Sequence, residues 1–103
     1  MTNDDGARAA LIRLVDAAEA TYPYVTAEHL RRLAVRDPEW APLTHQLARH
    51  IRSLVAVVAL HCDNRQHLRR DGRVEPVRLY RLNRRHPLVA AVLDQPLTAN
   101  SEQ

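Results

Sequence analysis

Hydrophobic positions near the start of the chain recur every three or four residues, the period of an amphipathic helix. They are Leu11, Ile12, Val15 and Ala18. Asp4 or Asp5 is placed to cap this helix, because a short acidic side chain accepts hydrogen bonds from the free N–H groups of a first turn. We predict that the helix ends before the turn at Tyr22 and Pro23.

A second, shorter helix is predicted after that turn. Thr26 is a favourable N-cap, and Glu28 lies in the positively polarised first turn. The apolar face of this helix comprises Leu30, Leu33 and Ala34. Pro38 prevents continuation beyond about Arg36, since proline has no N–H to donate.

The strongest helical pattern covers residues 42–54, and Pro42 suits the first position of this third helix. Its apolar stripe, at spacings of four, four and three, consists of Leu43, Leu47, Ile51 and Leu54. His45, Arg49 and Arg52 lie roughly opposite that stripe. These three side chains must therefore face solvent or a partner.

The segment over residues 54–62 fits two structures. Its β-branched content favours a buried strand, whereas Leu54, Val58 and Cys62 continue the helical stripe, so periodicity alone does not decide between them. We favour a helix that ends near Leu54 or Val55, with a strand after it.

A basic hairpin is predicted around the dipeptide Asp71-Gly72, because both central positions of a type I′ turn need a positive φ. In this hairpin, residues 65–70 pair with residues 73–78. Pro76 marks the second arm as an edge strand. The pairing brings three arginines together at the tip of the hairpin, namely Arg69, Arg70 and Arg73.

A short apolar helix is predicted over residues 86–93, with Pro87 in its first turn. Leu88, Val92 and Leu93 are too apolar for a free surface helix, so they either close over the core or pack against a second subunit. We favour a homodimer that forms through these three residues.

The composition fits one domain over residues 1–95, followed by a disordered tail over residues 96–103. Hydrophobic residues make up 46% of the chain and Phe is absent, so Leu, Val, Ile and Ala must form most of the core. Cys62 is the sole cysteine, which excludes an intramolecular disulfide and fits a reducing cytosol. The amino terminus is acidic, unlike a signal peptide, and no apolar run reaches the roughly 18 residues of a membrane span. We therefore expect a cytoplasmic protein.

Charge is distributed unevenly along the chain. Residues 1–40 contain five arginines and seven acidic residues, whereas residues 65–85 contain eight arginines and two acidic residues. Like charges at this density repel one another and weaken a fold unless a counter-charge is bound. The expected partner is therefore a polyanion, and the expected location is the nucleoid.

Three helices followed by a basic hairpin resemble the winged-helix family of DNA-binding domains over roughly residues 7–82. The resemblance implies a mainly α fold with a small β-hairpin: a three-helix core, a wing and a short C-terminal helix. The connector over residues 36–41 departs from the family, because it is longer than the three- to four-residue turn of a tight helix-turn-helix.

The resemblance also implies roles for individual residues. Helix 42–54 would lie in the major groove, with His45, Arg49 and Arg52 as its recognition residues. The wing over residues 65–78 would contact the backbone or minor groove through the three tip arginines. The closing strand, residues 78–82, is similar to the ends of small phage and plasmid proteins of GC-rich bacteria.

These patterns favour sequence-specific binding of double-stranded DNA by a transcription regulator or a plasmid or phage accessory factor. A rival hypothesis is a protein-interaction adaptor that grips an acidic protein surface with its basic wing. An RNA-binding protein is disfavoured, because no exposed aromatic beyond Tyr80 is interleaved with the basic positions.

The sequence does not favour metal binding, a cofactor or catalysis. His61, Cys62, Asp63 and His67 contain ligand atom types, but neighbouring residues of a strand point to opposite faces, and structural zinc sites bring four ligands in paired short spacings. With only two glycines, no glycine-rich phosphate loop can form. We therefore expect neither an enzyme nor a small-molecule substrate.

Overall fold

The computed structural model describes residues 4–94, with side chains from residue 6 onward. Within this range the chain forms four α-helices, one 3₁₀ helix and an antiparallel β-hairpin, a mixed layout compatible with a winged-helix-like arrangement. The elements are α1 (Asp4–Thr21), α2 (Ala27–Ala34), the 3₁₀ helix η1 (Ala41–Gln46), α3 (Leu47–Ala56), β1 (Leu60–Leu68), β2 (Val74–Leu82) and α4 (Pro87–Asp94). The tail predicted over residues 96–103 lies outside the described range.

The first helix lies at the centre of the core and packs against α2, α3, α4 and β2. Its buried side chains include Leu11, Ile12, Leu14, Val15 and Ala18, which confirms the predicted apolar face. Full burial of one such Leu, Ile or Val side chain contributes roughly 1.5–3 kcal/mol. The core therefore forms where the helices and the base of the hairpin meet this helix.

The predicted N-cap of the second helix is confirmed and forms a reciprocal capping box. The Thr26 hydroxyl oxygen accepts the backbone N–H of His29 (3.3 Å), and His29 Nδ1 accepts the backbone N–H of Thr26 (3.2 Å). The His29 ring also stacks on Tyr22, with ring centroids 4.1 Å apart. These contacts fix the direction in which the chain enters α2.

The predicted helix over residues 42–54 is divided into two helices in the structure, although its apolar stripe is buried as expected. Residues 41–46 form η1, and α3 begins only at Leu47. The break occurs because the Gln46 backbone, at φ −136° and ψ 38°, leaves the helical region. Consequently His45 lies in η1 and not in the α-helix that carries Arg49 and Arg52.

The third helix ends at Ala56 in a Schellman motif, close to the end that we favoured near Leu54 or Val55, and a strand follows it. The Val58 N–H donates to the Val55 carbonyl (3.0 Å), and the Ala59 N–H donates to the Leu54 carbonyl (3.0 Å). This motif needs a left-handed residue at position 58, and Val58 adopts φ +63°. The strand therefore starts only at Leu60, after an exposed turn.

The hairpin is confirmed, but its turn type and register differ from the prediction. The Gly72 N–H donates to the Arg69 carbonyl (3.0 Å) and the Arg69 N–H donates to the Arg73 carbonyl (2.7 Å), which leaves a loop of residues 70–72. Only Gly72, at φ +87°, has a positive φ in this loop, as in a three-residue hairpin. Pairing is shifted by one residue from the prediction, so Arg78 lies opposite Asn64 and does not share a face of the hairpin with Arg65.

Several contacts join the base of the hairpin to the helices. The Tyr80 N–H donates to the Val25 carbonyl (2.8 Å), so the segment between α1 and α2 pairs with the outer edge of β2. Glu19 Oε2 accepts the backbone N–H of Leu82 (2.7 Å), and Glu19 Oε1 and Asp16 Oδ1 both contact Arg84. The hairpin beyond this base is exposed, consistent with extents of 56 × 27 × 25 Å.

The last helix begins at Pro87 as expected and packs against α1. Val89 is fully buried and Val92 is 6% exposed within the chain's own core. Leu88 and Leu93 are partly buried against the same core. The apolar face of α4 is thus largely occupied by intramolecular contacts, and the homodimer stays a prediction.

Candidate nucleic-acid interface

The outward face of α3 carries positive charge and no acidic residue. Its sequence, LARHIRSLVA, contains Arg49 and Arg52, and both side chains are exposed. Arg49 Nη1 donates to the side-chain oxygen of Gln46 (2.9 Å), a neutral partner that leaves the guanidinium charge uncompensated. The exposed Ala48 beside them leaves room for a partner to approach the helix.

A basic hollow of about 90 Å³ lies where α2, α3 and β2 meet. Three exposed arginines line it, one from each element: Arg31, Arg52 and Arg78. Buried side chains at its base are those of Leu47, Ile51 and Tyr80. The basic hollow therefore combines three positive charges with an apolar base, and no acidic residue of the described range lines it.

The arginines of the basic hollow are among those without an ion pair in the described part of the chain. Among the described residues, six arginines have a carboxylate oxygen within 4.0 Å, namely Arg13, Arg32, Arg65, Arg69, Arg73 and Arg84. None of the three hollow arginines does. Their charges are therefore available to an external anion.

At the hairpin tip, acidic neighbours compensate much of the predicted charge. Arg69 lies 3.3 Å from a Glu75 oxygen, and Arg73 lies 4.0 Å from an Asp71 oxygen. Arg70 has no carboxylate partner in the described part of the chain. The net charge of the tip is therefore smaller than that of the basic hollow, although exposed ion pairs are worth only about 0–1 kcal/mol and exchange partners readily.

The structure brings together only some of the residues that the sequence assigned to DNA. Arg49 and Arg52 share α3, and the tip arginines share one loop. His45 is exposed on η1, and neither it nor any tip arginine lines the basic hollow. The predicted site is thus two separate basic regions, the face of α3 with the basic hollow and the hairpin tip.

Sequence reasoning missed Arg31 and Arg78. A signal existed for Arg78, because alternation places it on the same strand face as the buried Tyr80 and Leu82, which points toward the helices. Burial raises the pKa of Tyr80, an effect that the nearby Arg78 guanidinium partly offsets. For Arg31 no comparable signal existed, since its place in the basic hollow depends on how α2 packs against α1, η1 and β2.

The potential metal ligands do not converge in the described range, where no group of three or more His, Cys, Asp and Glu side chains lies close enough to hold an ion. Cys62 is exposed and free. No helix among residues 4–94 is long and apolar enough to cross a membrane. Comparison of the chain with protein-family models, curated proteins and solved structures finds no match.

Proposed function

We propose that this chain binds double-stranded DNA sequence-specifically, with α3 and the end of η1 in the major groove and the hairpin tip on the adjacent backbone or minor groove. A cytoplasmic, nucleoid-associated regulator or a plasmid or phage accessory factor is the role that this activity suggests. One observation carries the proposal: Arg52 of α3 and Arg78 of the hairpin share the basic hollow with Arg31 of α2. The face of α3 and the basic hollow can therefore contact one duplex together, and the separate hairpin tip completes the proposed interface.

Affinity and discrimination come from different parts of this surface. Arginines on the hollow and the tip neutralise phosphates, which supplies affinity that is independent of sequence. Arg49 is exposed on α3 and presents a guanidinium that can donate two hydrogen bonds to the O6 and N7 of guanine. We assign His45, which is exposed on η1, to the neighbouring bases.

A substitution at Arg49 separates base reading from simple charge attraction. Removal of a bidentate hydrogen bond to guanine costs about 1–3 kcal/mol and relaxes preference at one base position. We expect Arg49→Ala to weaken binding to a selected site more than to random duplexes, measured by fluorescence anisotropy. The selected site would come from rounds of enrichment on random duplexes.

The matched control is Arg36→Ala, which removes an exposed arginine at the end of α2 that has no carboxylate partner in the described range. Equal decreases in affinity for both kinds of DNA in Arg49→Ala would reduce Arg49 to a backbone contact. No decrease for either DNA would remove α3 from the interface.

The hairpin tip is tested by replacing all three tip arginines with alanine. Binding to every duplex should weaken alike, and the slope of log affinity against log salt should fall by roughly 0.9 for each phosphate that the variant no longer neutralises. An unchanged slope in a folded variant would exclude the tip from the interface.

A second candidate function, the protein-interaction adaptor, is favoured by apolar exposure at the same tip. Leu68 and Val74 form a cross-strand pair there and are 67% and 56% exposed. Such a pair beside arginines suits an acidic protein surface with an apolar centre. Binding to an acidic polypeptide with no binding to duplex DNA would favour the adaptor.

We also propose that the chain forms a homodimer through α4, with fewer contact residues than the sequence suggested. Val92 is enclosed by its own subunit, so Leu88 and Leu93 provide the apolar surface for a two-fold contact. A dimer of this kind would present two α3 helices to two half-sites on one duplex.

A further inference from the structure

We propose that the basic hollow between Arg31, Arg52 and Arg78 is a discrete binding site for a single phosphate group. The biological source of that group rests on the proposed function: if the chain binds DNA, the phosphate belongs to the backbone of the duplex. The basic hollow itself can be tested with inorganic phosphate, without DNA.

The charge of the site selects an anion. Three guanidinium groups from three elements line one hollow of about 90 Å³, and no carboxylate of the described residues lines it. Without a bound anion their mutual repulsion weakens the fold, and a bound anion removes that penalty. The protein should therefore become more stable when the site is filled.

The chemistry of the site favours phosphate over a halide. A guanidinium presents its N–H donors as a planar fork that matches two oxygens of a phosphate, and such charge-assisted hydrogen bonds are stronger than neutral ones. The buried Leu47, Ile51 and Tyr80 side chains at the base limit access of water from that side.

The position of the site explains what a phosphate there would do. Each arginine belongs to a different element, so one phosphate would connect α2, α3 and β2. Phosphate contacts fix the register of a protein on a duplex without reading sequence. The basic hollow would thus set how deeply α3 enters the major groove and where the hairpin lies.

The experiment measures thermal unfolding of the full chain in increasing inorganic phosphate, against sodium chloride of equal ionic strength. We expect a saturating rise in Tm with phosphate and a smaller, non-saturating change with chloride. Arg52→Ala and Arg78→Ala should weaken the phosphate affinity about ten- to a hundredfold, the equivalent of one charge-assisted hydrogen bond. Arg52→Lys keeps the charge but not the planar fork of donors, so its phosphate affinity should lie between those of the alanine variants and that of the unmodified chain.

Controls and competitors distinguish the outcomes. Arg36→Ala should retain the full response to phosphate, because Arg36 does not line the basic hollow. Displacement of phosphate by duplex DNA identifies the backbone as the source, whereas displacement by a 5′-mononucleotide but not by a duplex supports the site and contradicts DNA binding. The inference is overturned, even if the chain binds DNA, if phosphate raises the Tm no more than chloride does or raises it equally in all variants.

Discussion

Substitution of Val58 by glycine is expected to stabilise the protein. Val58 occupies the left-handed position of the Schellman motif that ends α3, at φ +63°. This position usually holds glycine, because an L side chain there places Cβ too close to the following carbonyl oxygen. The Val58 side chain is 54% exposed, so its removal sacrifices little buried surface.

The expected gain follows from two opposing terms. The left-handed conformation costs an L residue roughly 1–2 kcal/mol. Glycine avoids that cost but adds about 0.5–1 kcal/mol of conformational entropy to the unfolded chain. At the midpoints of these ranges the difference is a gain of about 0.75 kcal/mol in the free energy of unfolding, which corresponds to a rise in Tm of about 3–6 °C for a chain of this size.

Circular dichroism during thermal and urea unfolding measures the effect, and Val57→Gly is the matched control. Val57 lies one residue earlier at φ −98°, where glycine has no strain to relieve. Val57→Gly should therefore destabilise by about 0.5–1 kcal/mol. If Val58→Gly were no more stable than the unmodified chain, or shifted in the same direction as Val57→Gly, the reasoning would be refuted.

Three further predictions concern the base of the hairpin, its tyrosine and the last helix. Glu19→Ala should lower the free energy of unfolding, measured in urea, by about 1–3 kcal/mol, because the Leu82 N–H is left without its acceptor. Glu19→Gln keeps an acceptor oxygen and should lower the free energy of unfolding less. Equal decreases in the two variants would contradict the role of that hydrogen bond. Burial raises the pKa of Tyr80 above its ordinary 10.0, so as pH rises the unfolded chain loses the phenol proton before the folded chain does. The free energy of unfolding should therefore fall as pH rises above 10.0, and Tyr80→Phe should abolish that part of the fall. Leu88→Ser combined with Leu93→Ser should convert a dimer into a monomer in sedimentation equilibrium, and a monomeric unmodified chain would exclude the dimer.

Local signals predicted the elements that depend on local chemistry. Thr26 at the start of α2 and the stripe from Leu43 to Leu54 required only capping and periodicity, and the structure confirms both. The end of α3 was predicted near Leu54 or Val55 and lies at Ala56, but the turn that follows was not predicted, because a valine occupies the position where a glycine would have indicated it. The strand expected directly after the helix therefore begins only at Leu60, beyond that turn.

The candidate site was predicted only as far as sequence neighbours could reveal it. Arg49 and Arg52 were assigned from the face opposite the buried stripe, and both are exposed. The basic hollow depends on tertiary structure, because packing of the helices and of the hairpin base brings Arg31 of α2 and Arg78 of β2 beside Arg52 of α3.

The central claim, that this chain is a DNA-binding protein, is tested most directly by titrating it into a pool of random duplexes at salt concentrations from about 50 to about 200 mM. Neutralisation of about six phosphates predicts a linear decrease of log affinity with log salt and a total decrease of about 10³-fold over that range. Arg52→Ala should reduce the slope, and Arg36→Ala should not. Undetectable binding at the lowest salt, or an affinity for duplex DNA no greater than for an acidic polypeptide, would contradict the claim.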